Sequence, residues 1–427
     1  MERSYIKDLS EGAVKVSGFI ETIRDKKIMF IVLRDISGAV QITIIKDENP
    51  EIYEQAKALT PHSFITVEGK CVFSEFVRNG GKEILPTKLT VDSIADVLPI
   101  DENSAIDLQM DYRWVAMRGR KDAVMFKAQT VLINALREFL IKEKFVEINT
   151  PKIIGAESES GAGVFEVKYF GDKAFLAQSP QFYKQMAMAG GLERVFTQGS
   201  VFRAEKSNTY KHATEFTGFD LEFAYPENLD AVMEIEERWL AYALTQIKEK
   251  VGAEIKEVFG VEVNIPKLPF PRMKLAEVYE QLEKRYGYIE IEEEKDDLST
   301  EAERKCKQLS LDIFGSEFLF VTDFPAKKRA FYHTRINGVP QGYDLIWKGT
   351  EITTGAIREH RLEILKAQAK EKGLGKDIEF YLQFFKFGCP PHGGFGVGID
   401  RMTMLLLEIP TIKQSMFLFR GPNRITP

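Results

Sequence analysis

Cysteine and histidine are scarce, with three cysteines (Cys71, Cys306, Cys389) and five histidines in 427 residues. The cysteines are far apart, odd in number and share no metal-ligand spacing. Neither a disulfide framework nor a Cys/His zinc site is expected, and free thiols in a reducing, cytoplasmic compartment are. No run of 18 or more uncharged apolar residues occurs, so no membrane-spanning helix is expected. The opening MERSYIKDLSEG carries no apolar core of the signal-peptide kind. Overall positive charge is also lacking, since the net charge is −6. Nothing global announces a nucleic-acid partner, although an acidic average can hide a local basic surface.

What is present fits a globular chain of two or three domains, with 44% hydrophobic and 29% charged residues. Residues 13–98 alternate as strands do: AVKVSGFIETIR, KIMFIVLRD, AVQITII, SFITVEGKCVF and KLTVDSIADVL. Positions Val14, Val16 and Ile20, and Ile28, Phe30 and Val32, mark half-buried strands. A short helical piece, PEIYEQAKAL, follows the third strand. Five strands with a helix after the third is the order of an oligonucleotide-binding (OB) barrel, and it fits any small ligand-free β-barrel equally. The polar stretch LPIDENSAID with Pro99 predicts a hinge, taken as 99–118, between a domain at 1–98 and one at 119–427.

In the second part, apolar positions Val124, Ala128, Val131, Ala135 and Phe139 predict a one-faced helix that leads into VEINTP. Further helices are expected near 227–251, 274–286 and 360–373, with apolar strands such as EFLFVTDF and YDLIWKG between them. The acidic run IEEEKDD (291–297) is expected to be a solvated helix start. GGFGVGIDR (393–401) invites a dinucleotide-binding reading, but G-x-G-x-G near the C-terminus lacks both the G-x-G-x-x-G spacing and the later acidic residue. A glycine strand on which a flat ligand lies, followed by a helix carrying Arg401, fits better. In VFRAEKSNTYKHATEFTGFDLEFA (201–224), two apolar strands flank a basic loop with Lys206, Lys211 and His212, suited to closing over a polyanion.

Three of these stretches, in this order, resemble the motifs of the class II aminoacyl-tRNA synthetases. The helix running into FVEINTP resembles motif 1, FRAE…TEF motif 2 and GFGVGIDR motif 3. The resemblance spans nearly the whole chain. It implies an α+β architecture: an N-terminal OB-fold barrel for the anticodon, then a class II catalytic domain with an antiparallel sheet flanked by helices. A barrel of this kind belongs to the subgroup for aspartate, asparagine and lysine. QSPQFYKQ (178–185) is similar to the aspartate-specific motif, whose lysine, here Lys184, faces the substrate side-chain carboxylate. Arg358 matches the arginine holding the same carboxylate, and Asp220 stands where asparaginyl enzymes usually carry Glu. A desolvated carboxylate needs positive charge and a bidentate guanidinium, and asparagine would leave those donors poorly matched.

The resemblance further implies that Glu159 and Asp220 receive the α-amino group and that Gln181 lines the same pocket. In the mobile loop, Ser160 departs from the usual glycine. Arg203 would contact the α-phosphate and the aspartate α-carboxylate, with Glu205 and His212 also at the ATP site. Phe216 would stack on adenine with Arg401 on the other face, near the γ-phosphate. Glu351 and Thr354 would bind Mg²⁺. Arg203, Arg401 and Glu351 carry the catalysis, which is positioning and electrostatics without a side-chain nucleophile. Asp400 is expected to support Arg401 from behind.

In the barrel, Arg24, Phe30 and Gln41 match positions that contact, stack on and read the anticodon, as suits single-stranded RNA. Phe30 also fits a core position, because it alternates with Ile28 and Val32. The implied activity is ATP-dependent activation of L-aspartate and transfer to tRNA(Asp), with charging of tRNA(Asn) left open. Motif 1 implies a homodimer. The alternatives are an asparagine–tRNA ligase and an inactive paralogue that serves as a binding module. A metabolic asparagine synthetase on the same catalytic domain would lack the barrel.

Overall fold

The computed structural model describes all residues except 76, 78–80, 157–162, 207–208 and 376–377. It divides into two compact units, Met1–Ala123 and Val124–Pro427. In the first, strands β1 (Gly12–Asp25), β2 (Ile28–Asp35), β3 (Gly38–Ile45), β4 (Phe64–Phe73) and β5 (Lys82–Ser93) close a barrel in the order β1-β2-β3-β5-β4. Helix α1 (Pro50–Ala56) lies between β3 and β4, as expected. The interior is aliphatic, with Val16, Ile20, Ile31, Ile42 and Ile65 all fully buried.

The inward face of β2 differs from the sequence expectation. Met29, Ile31 and Leu33 point into the core, while Ile28 and Phe30 are only partly buried. The strand IMFIVLRD is apolar on both faces, so its alternation does not say which parity faces in. The stretch 99–118 belongs to this first unit. It contains the short helices Ile106–Asp111 and Arg113–Ala116, and buried Arg113 pairs with Asp122 at 2.6 Å.

The second unit is built on an eight-stranded sheet. Helix α2 (Arg120–Lys142) leads into β6 (Val146–Glu147); then come α3 (Gln181–Ala189), β7 (Arg194–Phe202), β8 (Glu215–Ala224) and α4 (Leu229–Phe259). There follow β9 (Arg272–Lys274), α5 (Leu275–Tyr286), α6 (Thr300–Phe314), β10 (Phe318–Thr322), β11 (Gly342–Trp347), β12 (Thr350–Arg358), α7 (Leu362–Glu371), β13 (His392–Gly398) and α8 (Ile399–Leu406). The spatial order is β9-β10-β11-β12-β13-β8-β7-β6. The six central strands are antiparallel, and the two short outer strands pair in parallel. Helices α2 and α4 cover one face: fully buried Trp239 touches Phe219 of β8 and Phe395 of β13, and its indole donates to Leu136 O at 2.9 Å.

On α2 the buried stripe runs through Val124, Ala128, Leu132, Ala135 and Phe139, while Val131 is only partly buried. The acidic run is not a helix start. Glu292–Glu294 form a single 3₁₀ turn, and α6 begins at Thr300, where the Ser299 side chain accepts from Ala302 N–H. A capping serine supplies the acceptor that the first helical N–H groups need, which the acidic run does not. No helix of the described residues is long and apolar enough to cross a membrane. The three cysteines are free thiols.

Candidate active site

Strand alternation decides which side chains meet. β8 sends Phe219, Leu221 and Phe223 into the core, so Asp220 and Glu222 face the other side of the sheet. Across the ladder, Asp220 lies beside Gly396 and Glu222 beside Gly394. A Cβ at Gly396 would come within 2.3 Å of Asp220 Oδ1, and one at Gly394 within 2.7 Å of Glu222 Oε2. These two glycines make room for the chain's own carboxylates. At Gly398 the room is open: a Cβ there would sit 3.9 Å from the Phe216 ring and 3.8 Å from the Arg401 side chain. Space for a flat ligand is therefore confined to the last glycine of the strand.

Helix α3 lies over the same region and lowers Gln181 and Lys184, both buried and one turn apart, onto the two acids. Lys184 Nζ donates to Asp220 Oδ1 at 3.0 Å and lies 3.5 Å from Glu222 Oε2. It also donates to the carbonyls of Leu221 and Phe395 at 3.4 Å each. From β12, Arg358 Nε donates to Glu222 Oε1 at 2.9 Å, and its terminal nitrogen donates to Gly394 O at 2.8 Å and Gln181 Oε1 at 3.3 Å. Glu222 is completely buried. Burial works to raise its pKa, but Arg358 and Lys184 outweigh that and hold it below the usual carboxylate range. Next to Arg358, burial and then the Arg358 charge push the His333 pKa well down, so this ring is neutral.

Glu222 is not among the residues expected from the sequence. Its signal is the strand period: two residues after Asp220 on β8, it has to share that face. Asp220, Gln181 and Arg358 line a cleft of about 610 Å³, whereas Lys184 lies behind them and does not. Here the Lys184 ammonium is enclosed by oxygens of the chain itself.

The same cleft is lined by Arg203, Glu205, His212 and Phe216 from β8 and the segment before it, Glu351 and Thr354 from β12, and Arg401 from α8. The Arg203 guanidinium lies 5.4 Å from the Phe216 ring centre. Arg203 Nε is buried with no hydrogen-bond partner among the described residues, a donor left over for a ligand. Arg401 donates to Glu351 O at 2.7 Å and to Lys211 O at 3.4 Å. His212 Nδ1 is 2.5 Å from Thr209 Oγ1, and burial followed by the Arg401 charge lowers its pKa, so it is neutral at pH 7. Asp400 supports this corner from below, accepting from Thr217 N–H at 2.8 Å. Burial pushes its carboxyl up to about 6. Glu159 and Ser160 lie outside the described residues.

A second missed acid sits beside Glu351. Thr354 Oγ1 donates to Asp344 Oδ1 at 2.8 Å and to Glu351 Oε1 at 3.3 Å. Asp344 is gripped by Arg329 through two bonds of 2.8 and 2.6 Å. Burial pushes the Asp344 pKa up, and Arg329 opposes it. Its sequence signal is a lone acid in the apolar strand YDLIW. Two carboxylates and a hydroxyl form a hard oxygen donor set of the kind Mg²⁺ takes. Among the described residues no group of three or more His, Cys, Asp or Glu could hold a metal ion.

In the barrel, Arg24 of β1 faces Phe30 of β2, which faces Thr43 of β3; Gln41 lies one step along the same outer face, opposite Val32. Arg24 is exposed, and Phe30 and Gln41 are partly buried. Phe30 is therefore outside the core. Gln41 Nε2 donates to Thr43 Oγ1 at 3.1 Å and Glu83 Oε2 at 3.3 Å, which leaves its carbonyl oxygen as an acceptor.

Residues 105–420 match the model for class II tRNA synthetases (D, K and N), and residues 14–92 that for the OB-fold nucleic acid binding domain. The chain is 38% identical to an aspartate–tRNA(Asp) ligase of Pyrococcus abyssi, over 98% of this chain and 97% of that one. It is also 38% identical to an aspartate–tRNA(Asp/Asn) ligase of Aeropyrum pernix, over 97% and 96%. Among solved structures, an asparaginyl-tRNA synthetase of Pyrococcus horikoshii complexed with asparaginyl-adenylate superposes with a TM-score of 0.91 at 32% identity, covering all of both chains.

Proposed function

The chain belongs to the class II tRNA synthetases of the aspartate, lysine and asparagine group, and from that premise we propose that it is an aspartate–tRNA ligase. It activates L-aspartate with ATP to aspartyl-adenylate and transfers the aspartyl group to the 3′ end of tRNA(Asp). The observation that carries the amino acid is the Lys184–Glu222–Arg358 cluster. Two cations face one buried acid, so one positive charge is left over once the substrate α-amino group engages Asp220. That remainder matches one carboxylate in a desolvated pocket, and a neutral carboxamide does not match it.

Arg358, at the cleft wall, binds the side-chain carboxylate, with Lys184 and Gln181 fixing its orientation. Adenine lies over Gly398 between Phe216 and Arg401, where the strand leaves space on the protein side. Arg203, with its spare buried Nε, takes the α-phosphate and the α-carboxylate, with Glu205 and His212 beside it. The α-carboxylate oxygen attacks the α-phosphorus, the bond to the pyrophosphate oxygen breaks, and the tRNA terminal hydroxyl then attacks the carbonyl carbon to release AMP. The protein supplies orientation and fixed positive charge. Glu351, Thr354 and Asp344 would hold Mg²⁺, which when bound neutralises the β- and γ-phosphates. The barrel presents Arg24, Phe30 and Gln41 to the anticodon, and the enzyme works in the cytoplasm. Exposed Val146 on the edge strand β6 and exposed Ile141 at the end of α2 support a homodimer built on motif 1.

The test is charging of purified tRNA(Asp) and tRNA(Asn) with labelled aspartate and ATP. Aspartyl-tRNA(Asp) is the expected product. No charging of either tRNA would remove the assignment in favour of a binding module.

A further inference from the structure

We infer that Glu303, on helix α6 and outside all three motifs, is a positioning residue for the ATP site. Its effect on nucleotide binding passes through Lys211 and Glu351; the side chain itself touches no substrate. The inference rests on the ATP-dependent activity proposed above.

Glu303 is 5% exposed, and its two oxygens go to different parts of the cleft. One accepts from the buried Lys211 ammonium, on the loop joining β7 to β8. The other accepts from the backbone N–H of Glu351. That N–H needs an outside partner because the β11–β12 ladder is irregular there. Leu345 pairs with Thr353 and Ile346 with Glu351, so Ile352 is an extra residue on β12. Glu303 satisfies a donor that a bulge leaves over. Arg401 closes the circuit from the other side, bonding Glu351 O at 2.7 Å and Lys211 O at 3.4 Å. The Glu351 backbone is thus held through its N–H by Glu303 and through its carbonyl by Arg401.

A neighbouring contact repeats the arrangement. The Arg304 guanidinium lies 5.2 Å from the Tyr210 ring centre, and the Tyr210 hydroxyl is 3.2 Å from Thr350 Oγ1. The turn before β12 also packs closely on α6, since a Cβ at Gly349 would come within 2.8 Å of Arg304 O. Successive residues of α6 therefore grip successive residues of the loop and of β12. Lys211, whose position suggests a cation for a polyanion, has its charge taken by Glu303. A neutral residue at 303 would leave the Lys211 ammonium without its counter-charge, and one that also lacks an acceptor would release the Glu351 N–H and let its carboxylate drift.

The test uses full-length protein with Glu303→Gln, Glu303→Ala, Lys211→Met and the Glu303→Gln/Lys211→Met double variant. Equilibrium binding of a non-hydrolysable ATP analogue with Mg²⁺ is measured first, and KM values for ATP and aspartate in pyrophosphate exchange second. The expected result for Glu303→Gln is a Kd for the analogue raised roughly tenfold, because a buried cation loses its partner, with KM for aspartate moved less than about twofold. The double variant should bind better than the sum of the single effects predicts. A purely structural role would lower thermal stability and move ATP and aspartate parameters together. If Glu303→Ala does not fold, Glu303→Gln carries the test, since its amide oxygen still accepts from Glu351 N–H. Unchanged analogue binding in folded Glu303→Gln, or strict additivity in the cycle, overturns the inference. Failure of wild-type protein to exchange with aspartate would instead count against the proposed activity, because analogue binding does not depend on the amino acid.

Discussion

Lys184 and Arg358 hold Glu222 from two sides, with Nζ 3.5 Å from Oε2 and Nε 2.9 Å from Oε1. They come from a helix and a strand separated by more than 150 residues, and the acid between them is wholly buried. Truncating the acid would leave two like-charged groups without the carboxylate they share. Glu222→Ala is expected to cost about 3–5 kcal/mol in stability, because two buried cations lose their counter-charge. Urea unfolding checks this, and a loss below about 1 kcal/mol would show that the pair contributes little.

Removing either cation should act on the amino acid alone. Lys184→Met and Arg358→Ala are each expected to raise KM for aspartate at least about 100-fold, with ATP affinity held within about twofold. Steady-state pyrophosphate exchange reads both constants. Wild-type aspartate kinetics in either variant would contradict the pocket.

The glycine strand separates two kinds of consequence. Gly396→Ala drives a Cβ to 2.3 Å from Asp220 Oδ1 and should cost about 1–3 kcal/mol together with aspartate activation. Gly398→Ala meets nothing closer than 3.8 Å, so stability is retained while the new methyl intrudes on the adenine space. Melting curves and ATP-analogue titration of the two variants should give opposite patterns.

Much of this was legible from the residues, and the gaps have physical causes. The barrel order, the helix at 120–142 and the strand pair around residues 201–224 follow from alternation and punctuation, which are local. The parity of β2 does not, because Ile28 to Leu33 are apolar on both faces. Arg203, Phe216, Glu351 and Arg401, which the family resemblance implies for the ATP site, share one cleft. Glu222 lies outside the residues that the resemblance implies, although the strand period places it on one face with Asp220. Asp344, Arg329 and Glu303 reach the site from strands, loops and helices far along the chain, and only tertiary packing brings them there.

A buried acid away from the cleft sets a pH dependence. Burial pushes the Glu236 pKa up to about 8, and the Tyr343 hydroxyl donates to it. The folded state then holds a proton that the unfolded chain releases near its ordinary value of 4.5. Between those values the folded state binds more protons, so this group's contribution to stability falls as pH rises from 4.5 to about 8. Glu236→Gln should remove that fall, about 5 kcal/mol, and be more stable than wild type near pH 8. Parallel unfolding at low and high pH tests this; identical slopes in both proteins would contradict it.

Phe30 lies outside the barrel core and should serve RNA alone. Phe30→Ala is expected to weaken tRNA binding by about 1–3 kcal/mol, the worth of one base–aromatic stack, and to leave pyrophosphate exchange unchanged. Filter binding against exchange separates the two, and an equal loss in both would return Phe30 to a structural role.

The most direct measurement is pyrophosphate exchange by the wild-type protein with aspartate and with asparagine under the same ATP and Mg²⁺ conditions. The one positive charge left over in this pocket once the substrate α-amino group engages Asp220 predicts a kcat/KM for aspartate on the order of 10⁴-fold above that for asparagine. Comparable exchange with both amino acids, or a preference for asparagine, would contradict it.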